Sequence, residues 1–409
     1  MQKTWVPVLE ANVHSPIGNS LPQRSRPSVR EVELLLCSAR TRSTPEMRVR
    51  IKEIATQDVD WQAFLQLATS HGVRPLVYQA LRISCWEVVP PAVRHELTHF
   101  YSANSAKNRF LAGELFHILQ LFEAENIVAV PFKGAVLAAV LYGDLALREF
   151  GDLDILVRAQ DIQKARKILS NEGYRSNVTT ADIIPDTGND ELYSASTGTM
   201  VELHWQFSPR RFVSVLPAQQ FWKNIKSIEI LGRQVLSFSS QDTFLFLAVH
   251  GAKHSWSALK WLCDLAEFIR SNPELDWPRL FKRAEDLGAV RTCQLAILLA
   301  AELLQAEVPA SVVRTILNDS QVQALTQDVR LRIAEPCDVD PIDGQIFNLK
   351  LKERLRDKVR YVLLQCTQYS GEEERFLPLP SALSFMYIFV RPIWLLRRYG
   401  VSVMKRFIR

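Results

Sequence analysis

Three acidic residues stand where a folded chain has little reason to tolerate them. Asp152 and Asp154 fall in REFGDLDILV (residues 148–157), a stretch that reads as a strand. Alternate strand residues share a face, so the two carboxylates point the same way, roughly 6.6 Å apart along the strand. Like charges on one face repel and add nothing to a core; a cation between them reverses the sign. Mg²⁺ takes hard oxygen ligands and is usually held by one or two carboxylates together with substrate phosphates. Paired metals in phosphoryl-transfer sites lie about 3.5–4 Å apart, a span such carboxylates can bridge. Glu202 sits in VELHW between Val201 and Leu203, and a lone acid inside a buried strand is costly unless paired or metal-bound. It is the natural third carboxylate, as a further metal ligand or as the general base for an acceptor hydroxyl. The bland alternative is a solvent-facing acid pair at a sheet end with Glu202 in an ion pair, and for an isolated D-x-D that alternative is the commoner one.

What precedes the pair changes the balance. Residues 127–132 (IVAVPF) form a short apolar run dense in β-branched residues, hence a buried strand. Lys133-Gly134 follows and opens a helix of small and apolar residues to Leu141. Backbone N–H groups at a helix start favour anions, and glycine lets a phosphate approach the backbone. Lys133 adds a charge beside it. A helix is expected over 161–172, and further strands over 191–195, 200–207, 225–230 and 234–238, with Gly232-Arg233 at the last turn. The expected fold is α+β: a small mixed sheet with helices, flanked by N- and C-terminal helical regions. Its expected divisions are a disordered leader at 1–28, a helical region at 29–125, the sheet-bearing core at 126–240 and a second helical region at 241–409.

Taken together, PFKGAVLAAVLYGDLALREFGDLDILV and VELHW resemble the nucleotidyltransferase superfamily typified by DNA polymerase beta. They are most similar to its bacterial branch known as the uncharacterised nucleotidyltransferase family. That branch shows K-G, then L-Y, then R-x-x-x-D-x-D-[IL]-L-V, then V-[ED]-x-H-W, matched here by Lys133-Gly134, Leu141-Tyr142, Arg148 with Asp152 and Asp154, and residues 201–205. Residues 60–81, 250–269 and 383–392 are similar to its flanking helical regions, so the resemblance covers nearly everything after the leader. The wider superfamily carries Gly-Ser at the first helix, where this chain has Lys133-Gly134-Ala135 with no hydroxyl. The resemblance implies a transferase moving a nucleoside monophosphate from a nucleoside triphosphate, with ATP expected, to an unknown hydroxyl. Asp152, Asp154 and Glu202 would hold Mg²⁺ or Mn²⁺, and Lys133, Gly134 and Arg148 would steady the phosphates. The alternative is a non-catalytic nucleotide-binding accessory protein of a biosynthetic pathway with the same fold.

After the sheet, His250, His254, Ser257, Trp261 and Asp264 recur at helical spacing and are expected on one helix face, with Lys253 and Lys260 beside it. Packing against the sheet is the plain reading. The functional one has Lys253 or Lys260 touching phosphate and Trp256 or Trp261 stacking on a base. Zinc is disfavoured because Gly251 follows His250, and no third ligand stands at a recognisable spacing. The chain of 409 residues carries a net +5, too mild for a nucleic-acid polymerase or repair enzyme, which would want a concentrated basic stripe. Cys37, Cys85, Cys263, Cys293, Cys337 and Cys366 lie far apart, which fits neither a zinc site nor a disulfide framework and suits a reducing cytoplasm. Residues 384–396 are apolar but short and interrupted by Arg391; a membrane span needs roughly 20 residues. A packed helix is expected there, with a membrane-surface role kept open by Arg397, Arg398, Lys405, Arg406 and Arg409.

Overall fold

The computed structural model describes residues 27–176, 188–206, 218–336, 339–367, 376–379, 383 and 386–407. Nearly all of the expected leader, Phe207 at the end of an expected strand, Cys337 and parts of the 380–386 segment lie outside these residues. The chain is α+β, mostly helical around a small mixed sheet. Among the described residues the first helices are α1 (Val29–Ser38), α2 (Pro45–Ala55), α3 (Trp61–Ser70) and α4 (Arg74–Ser84). They lead into α5 (Pro91–Ala124), a single 34-residue helix. Helical patterning runs from 29 to about 110 and again over 111–125; the structure joins the two, with the buried side carried through the polar Asn104 and Asn108.

The sheet is built from β1 (Ala129–Pro131), β2 (Asp152–Val157), β3 (Tyr174–Ser176), β4 (Asn189–Ser194) and β5 (Met200–His204), in the order β1-β2-β5-β4-β3. Among the described strands only β2 and β5 pair in parallel. Between β1 and β2 lies α6 (Gly134–Leu137), which widens into a π-helical turn through Ala138–Tyr142. Between β2 and β3 lies α7 (Ile162–Asn171). The edge strand β3 has only three residues, too few to show a period of two. A hairpin of β6 (Lys226–Ile230) and β7 (Arg233–Ser237) turns at Leu231-Gly232.

Each sheet face has its own core. Leu153, Ile155, Val157, Val201 and Leu203 join Leu115, Ile118 and Phe122 of α5 in one cluster. Leu156 and Phe132 belong to the larger one, with Phe246 and much of the helical remainder. That remainder is α8 (Ser240–Lys253), α9 (Leu259–Ser271), α10 (Trp277–Asp286), α11 (Val290–Leu304), α12 (Ala310–Ile316), α13 (Ser320–Ala334), α14 (Pro341–Lys350), α15 (Leu355–Thr367) and α16 (Tyr387–Phe407). Among the described residues no helix is long and apolar enough to cross a membrane.

Candidate active site

Strands β2 and β5 run parallel, with Asp152 opposite Met200, Asp154 opposite Glu202 and Leu156 opposite His204. The period of two therefore puts Asp152, Asp154, Glu202 and His204 on one face. Asp154 has no exposed side-chain surface, while the Glu202 side chain is 22% exposed. His204 Nε2 lies 3.1 Å from Asp154 Oδ1 and 3.1 Å from Glu202 Oε2, and Lys133 Nζ donates to the same Asp154 oxygen. Ligand atoms of Asp154, Glu202 and His204 all fall within 4.8 Å of one another. Asp154 Oδ2 is buried with no hydrogen-bond partner.

The electrostatics follow from packing these charges together. Burial and then the neighbouring Asp154 charge raise the Asp152 carboxyl above its usual range. Burial opposes ionisation of Asp154 too, but Lys133 and His204 overcome it and hold that carboxyl low. Burial works against a charged His204, yet its hydrogen bonds to Asp154 and Glu202 prevail and raise its pKa. Lys133 is raised likewise, against burial, by Asp154 and then Glu202. In this arrangement Lys133 supplies countercharge to Asp154 and, at longer range, to Glu202.

Opposite the acids stands a wall from α8 and α9. Phe132 meets the His204 ring edge-on at 5.0 Å and the Phe246 ring at 5.1 Å. Phe246 stacks on His250 at 5.8 Å, and His254 stacks on Trp261 at 4.6 Å with 15° between planes. Lys260 lies over the Trp261 ring at 5.5 Å. Burial first, then Lys133 and other cations, drive His250 well below its ordinary value. Burial, Lys253, Lys133 and Lys260 push His254 down to about 4. Both rings are therefore neutral near pH 7, and neither belongs to the group able to hold a metal.

The expected single helical stripe does not form. Helix α8 ends at Lys253, and Ser255 and Trp256 both take left-handed backbone conformations, φ 53° and 54°. The turn lays the Trp256 ring on Gly251, where a Cβ would stand 2.2 Å from the indole. Trp256 is thereby fully buried and closed to base stacking. The same turn folds Trp261 back over His254.

Other expected residues have these places. Arg148, expected at the phosphates, makes a bidentate pair with Asp264 of α9 (2.8 and 2.9 Å), and Tyr142 Oη donates to the same carboxylate at 2.7 Å. Asn104 and Asn108 of α5 both donate to the Arg148 carbonyl, at 3.2 and 2.8 Å. The arginine thus ties the approach to β2 to α5 and α9. Gly134 has φ +46°, and an added Cβ would sit 3.2 Å from the Asp152 carbonyl oxygen, so close packing on β2 accounts for the glycine. Lys253 closes α8. His204 is a site residue that the sequence reading passes over, although the alternation that turns Glu202 inward turns His204 the same way. Asp264 is expected on the helix face after the sheet, but nothing local marks its partner Arg148, 116 positions away.

The curated proteins contain no match to this chain. Among solved structures, an antigenic nucleotidyltransferase-like protein from Paracoccidioides brasiliensis is similar over 54% of this chain and 97% of that one, at 16% identity and a TM-score of 0.30. The profile of the uncharacterised nucleotidyltransferase family matches residues 57–305, from α3 through the sheet and α8 to the end of α11. That is more than half of the chain, and the chain belongs to the uncharacterised nucleotidyltransferase family.

Proposed function

We propose that the chain transfers a nucleoside monophosphate from a nucleoside triphosphate, ATP in the first instance, to a hydroxyl acceptor with the help of Mg²⁺ or Mn²⁺. The observation that carries this reading is the convergence of Asp154, Glu202 and His204 within 4.8 Å, with Asp152 on the same strand face. The donor set fits the ion. Asp152, Asp154 and Glu202 offer the hard oxygens these cations take, and Asp154 Oδ2 is a buried acceptor that lacks a partner. When bound, the ion supplies charge neutralisation and Lewis-acid polarisation of the phosphates.

The remaining work falls to the chain's own groups. Lys133, which donates to Asp154, is placed to steady a phosphate oxygen as an ammonium point charge. Glu202, part-exposed and hydrogen-bonded to His204, takes the proton of the acceptor hydroxyl. The acceptor oxygen forms a bond to the α-phosphorus, the bond from that phosphorus to the bridging oxygen breaks, and pyrophosphate leaves with the electron pair. Trp261 and Lys260 then flank the nucleotide from α9, and Arg148 acts through position by fixing the chain ahead of Asp152.

A second reading has the Lys133–Asp154 contact in its favour, since Lys133 already offsets the Asp154 charge. That is the non-catalytic nucleotide-binding protein of the same fold. One experiment separates the two. The protein is incubated with labelled triphosphates, Mg²⁺ and a cell lysate, beside the Asp152→Ala/Asp154→Ala variant. Transfer is expected for the wild type and a loss of about 10³-fold or more for the variant, with its circular dichroism unchanged, because several kcal/mol of metal-borne stabilisation are removed. Equal transfer by both would refute the assignment, and triphosphate binding without turnover by the wild type would favour the second reading.

A further inference from the structure

The charge of the chain is unevenly distributed. Residues 355–409 hold ten of the 49 Lys and Arg but four of the 44 Asp and Glu, so the 354 residues before them carry a net −1. The whole positive excess belongs to α15, α16 and their connection. The two helices pack on each other. From α16, Tyr387, Val390 and Arg391 are buried, at spacings that define one helix face, and Arg391 Nε donates to the Gln365 carbonyl of α15 at 2.7 Å.

With that face used, the opposite one carries the apolar residues. Phe389 is 68% exposed, Ile393 62% and Leu396 72%, one stripe at i, i+4 and i+7. Helix α15 adds a second: Leu355 is 76% exposed, and Val359 and Leu363 follow in helical register. The groove along it, about 620 Å³, is lined by Leu355, Val359, Leu363 and Leu364 with Arg356 and Arg360 at its edge. Arg397 and Arg398 are exposed beside the α16 stripe, and α16 has five basic residues and no acid. Asp357, the acid of α15, has a side chain only 12% exposed.

We infer that the α15–α16 pair docks flat on a lipid bilayer bearing anionic headgroups. Large apolar side chains bordered by Arg are what an interfacial helix presents, its apolar face sunk into the acyl boundary and its cations among the headgroups. No described helix can span the bilayer, so the attachment is peripheral. Nucleic acid would satisfy the cations and leave Phe389, Ile393 and Leu396 in water. This placement does not depend on the transfer chemistry proposed above.

Co-sedimentation of the full chain with vesicles tests it, using phosphatidylcholine alone and phosphatidylcholine mixed with phosphatidylglycerol. At least about tenfold more protein is expected on the anionic vesicles, falling as salt is raised. Phe389→Ser/Ile393→Ser/Leu396→Ser is expected to lose binding to both. Arg397→Gln/Lys405→Gln/Arg406→Gln should bring the anionic vesicles down to the neutral level. Wild type that does not distinguish the two vesicles overturns the proposal. So does an apolar triple variant that sediments like wild type, which would assign binding to charge alone. Ultracentrifugation without lipid supplies the remaining arm: a wild-type dimer that the apolar triple splits, with no vesicle binding, makes a second copy the occupant instead.

Discussion

At Gly134 a backbone φ of +46° and the approach of the Asp152 carbonyl act on the same atom position. A side chain there would pay for a left-handed conformation, about 1–2 kcal/mol, and would press on both the Asp152 carbonyl and the Phe150 ring at 3.3 Å. Gly134→Ala is therefore expected to lower stability by about 1–3 kcal/mol and to displace the β2 backbone that carries Asp152. Urea denaturation reads the first effect, and calorimetric Mn²⁺ affinity reads the second. An alanine variant with wild-type values in both would show that the backbone relaxes freely. The acid pair and Glu202 were visible in the sequence because period-two alternation is a local property, and Lys133-Gly134 because a strand-to-helix change brackets it. Trp256 shows the limit of local reading. It was a candidate for base stacking until two successive left-handed residues turned it onto Gly251.

Among the elements, the junction of the approach to β2 with α9 rests on one carboxylate. Asp264 takes both the Arg148 guanidinium and the Tyr142 hydroxyl, and the Asp264 and Arg148 side chains are 3% and 12% exposed. Removing one partner of a buried pair strands the other charge, which typically costs about 3–5 kcal/mol, whereas the intact pair is worth far less. Asp264→Ala is accordingly expected to cost about 3–5 kcal/mol, and Tyr142→Phe about 1.5–3 kcal/mol for one hydrogen bond to a charged group. Thermal and urea unfolding of both variants check the ordering; similar losses from the two would remove the special weight given to the ion pair. Helical periodicity runs without a break over 241–270 and over 277–304, yet the chain turns between α8 and α9 and between α10 and α11. An apolar stripe continues across a short break when both flanking helices pack on one core, so periodicity alone does not show where the chain turns. Arg148 reads as a phosphate contact from its motif for a related reason. Its motif position is local, while its partner Asp264 is a tertiary fact.

Over the whole molecule, residues from α1 to α14 share one buried cluster that crosses positions 125 and 240. We propose that these positions mark changes of architecture within one folding unit. His71, at the end of α3, joins its distant parts. Its Nδ1 accepts the Leu259 N–H at 3.1 Å, its Nε2 lies 3.0 Å from the Ile333 carbonyl, and its own carbonyl accepts from Lys260 N–H at 3.1 Å. One residue thereby holds α3, α9 and α13, and its backbone carbonyl, through the Lys260 N–H, steadies the wall facing the acids. With Nδ1 accepting, the ring is neutral and Nε2 carries the proton; burial pushes the pKa down to about 4. The unfolded chain titrates near the ordinary value of about 6.5, so below that pH the unfolded state binds the extra proton. Stability then rises with pH between about 4 and 6.5 and levels off above it. This histidine's share of the change is on the order of 3 kcal/mol, lost as pH falls through that window. Urea midpoints of wild type and His71→Gln across the same range isolate it from the other buried histidines. The variant is expected to be less stable at neutral pH, having lost a shape-matched ring, and to show the shallower decline in acid. Parallel declines in the two proteins would place the acid sensitivity elsewhere, and leave His71 as a tether whose charge state does not matter.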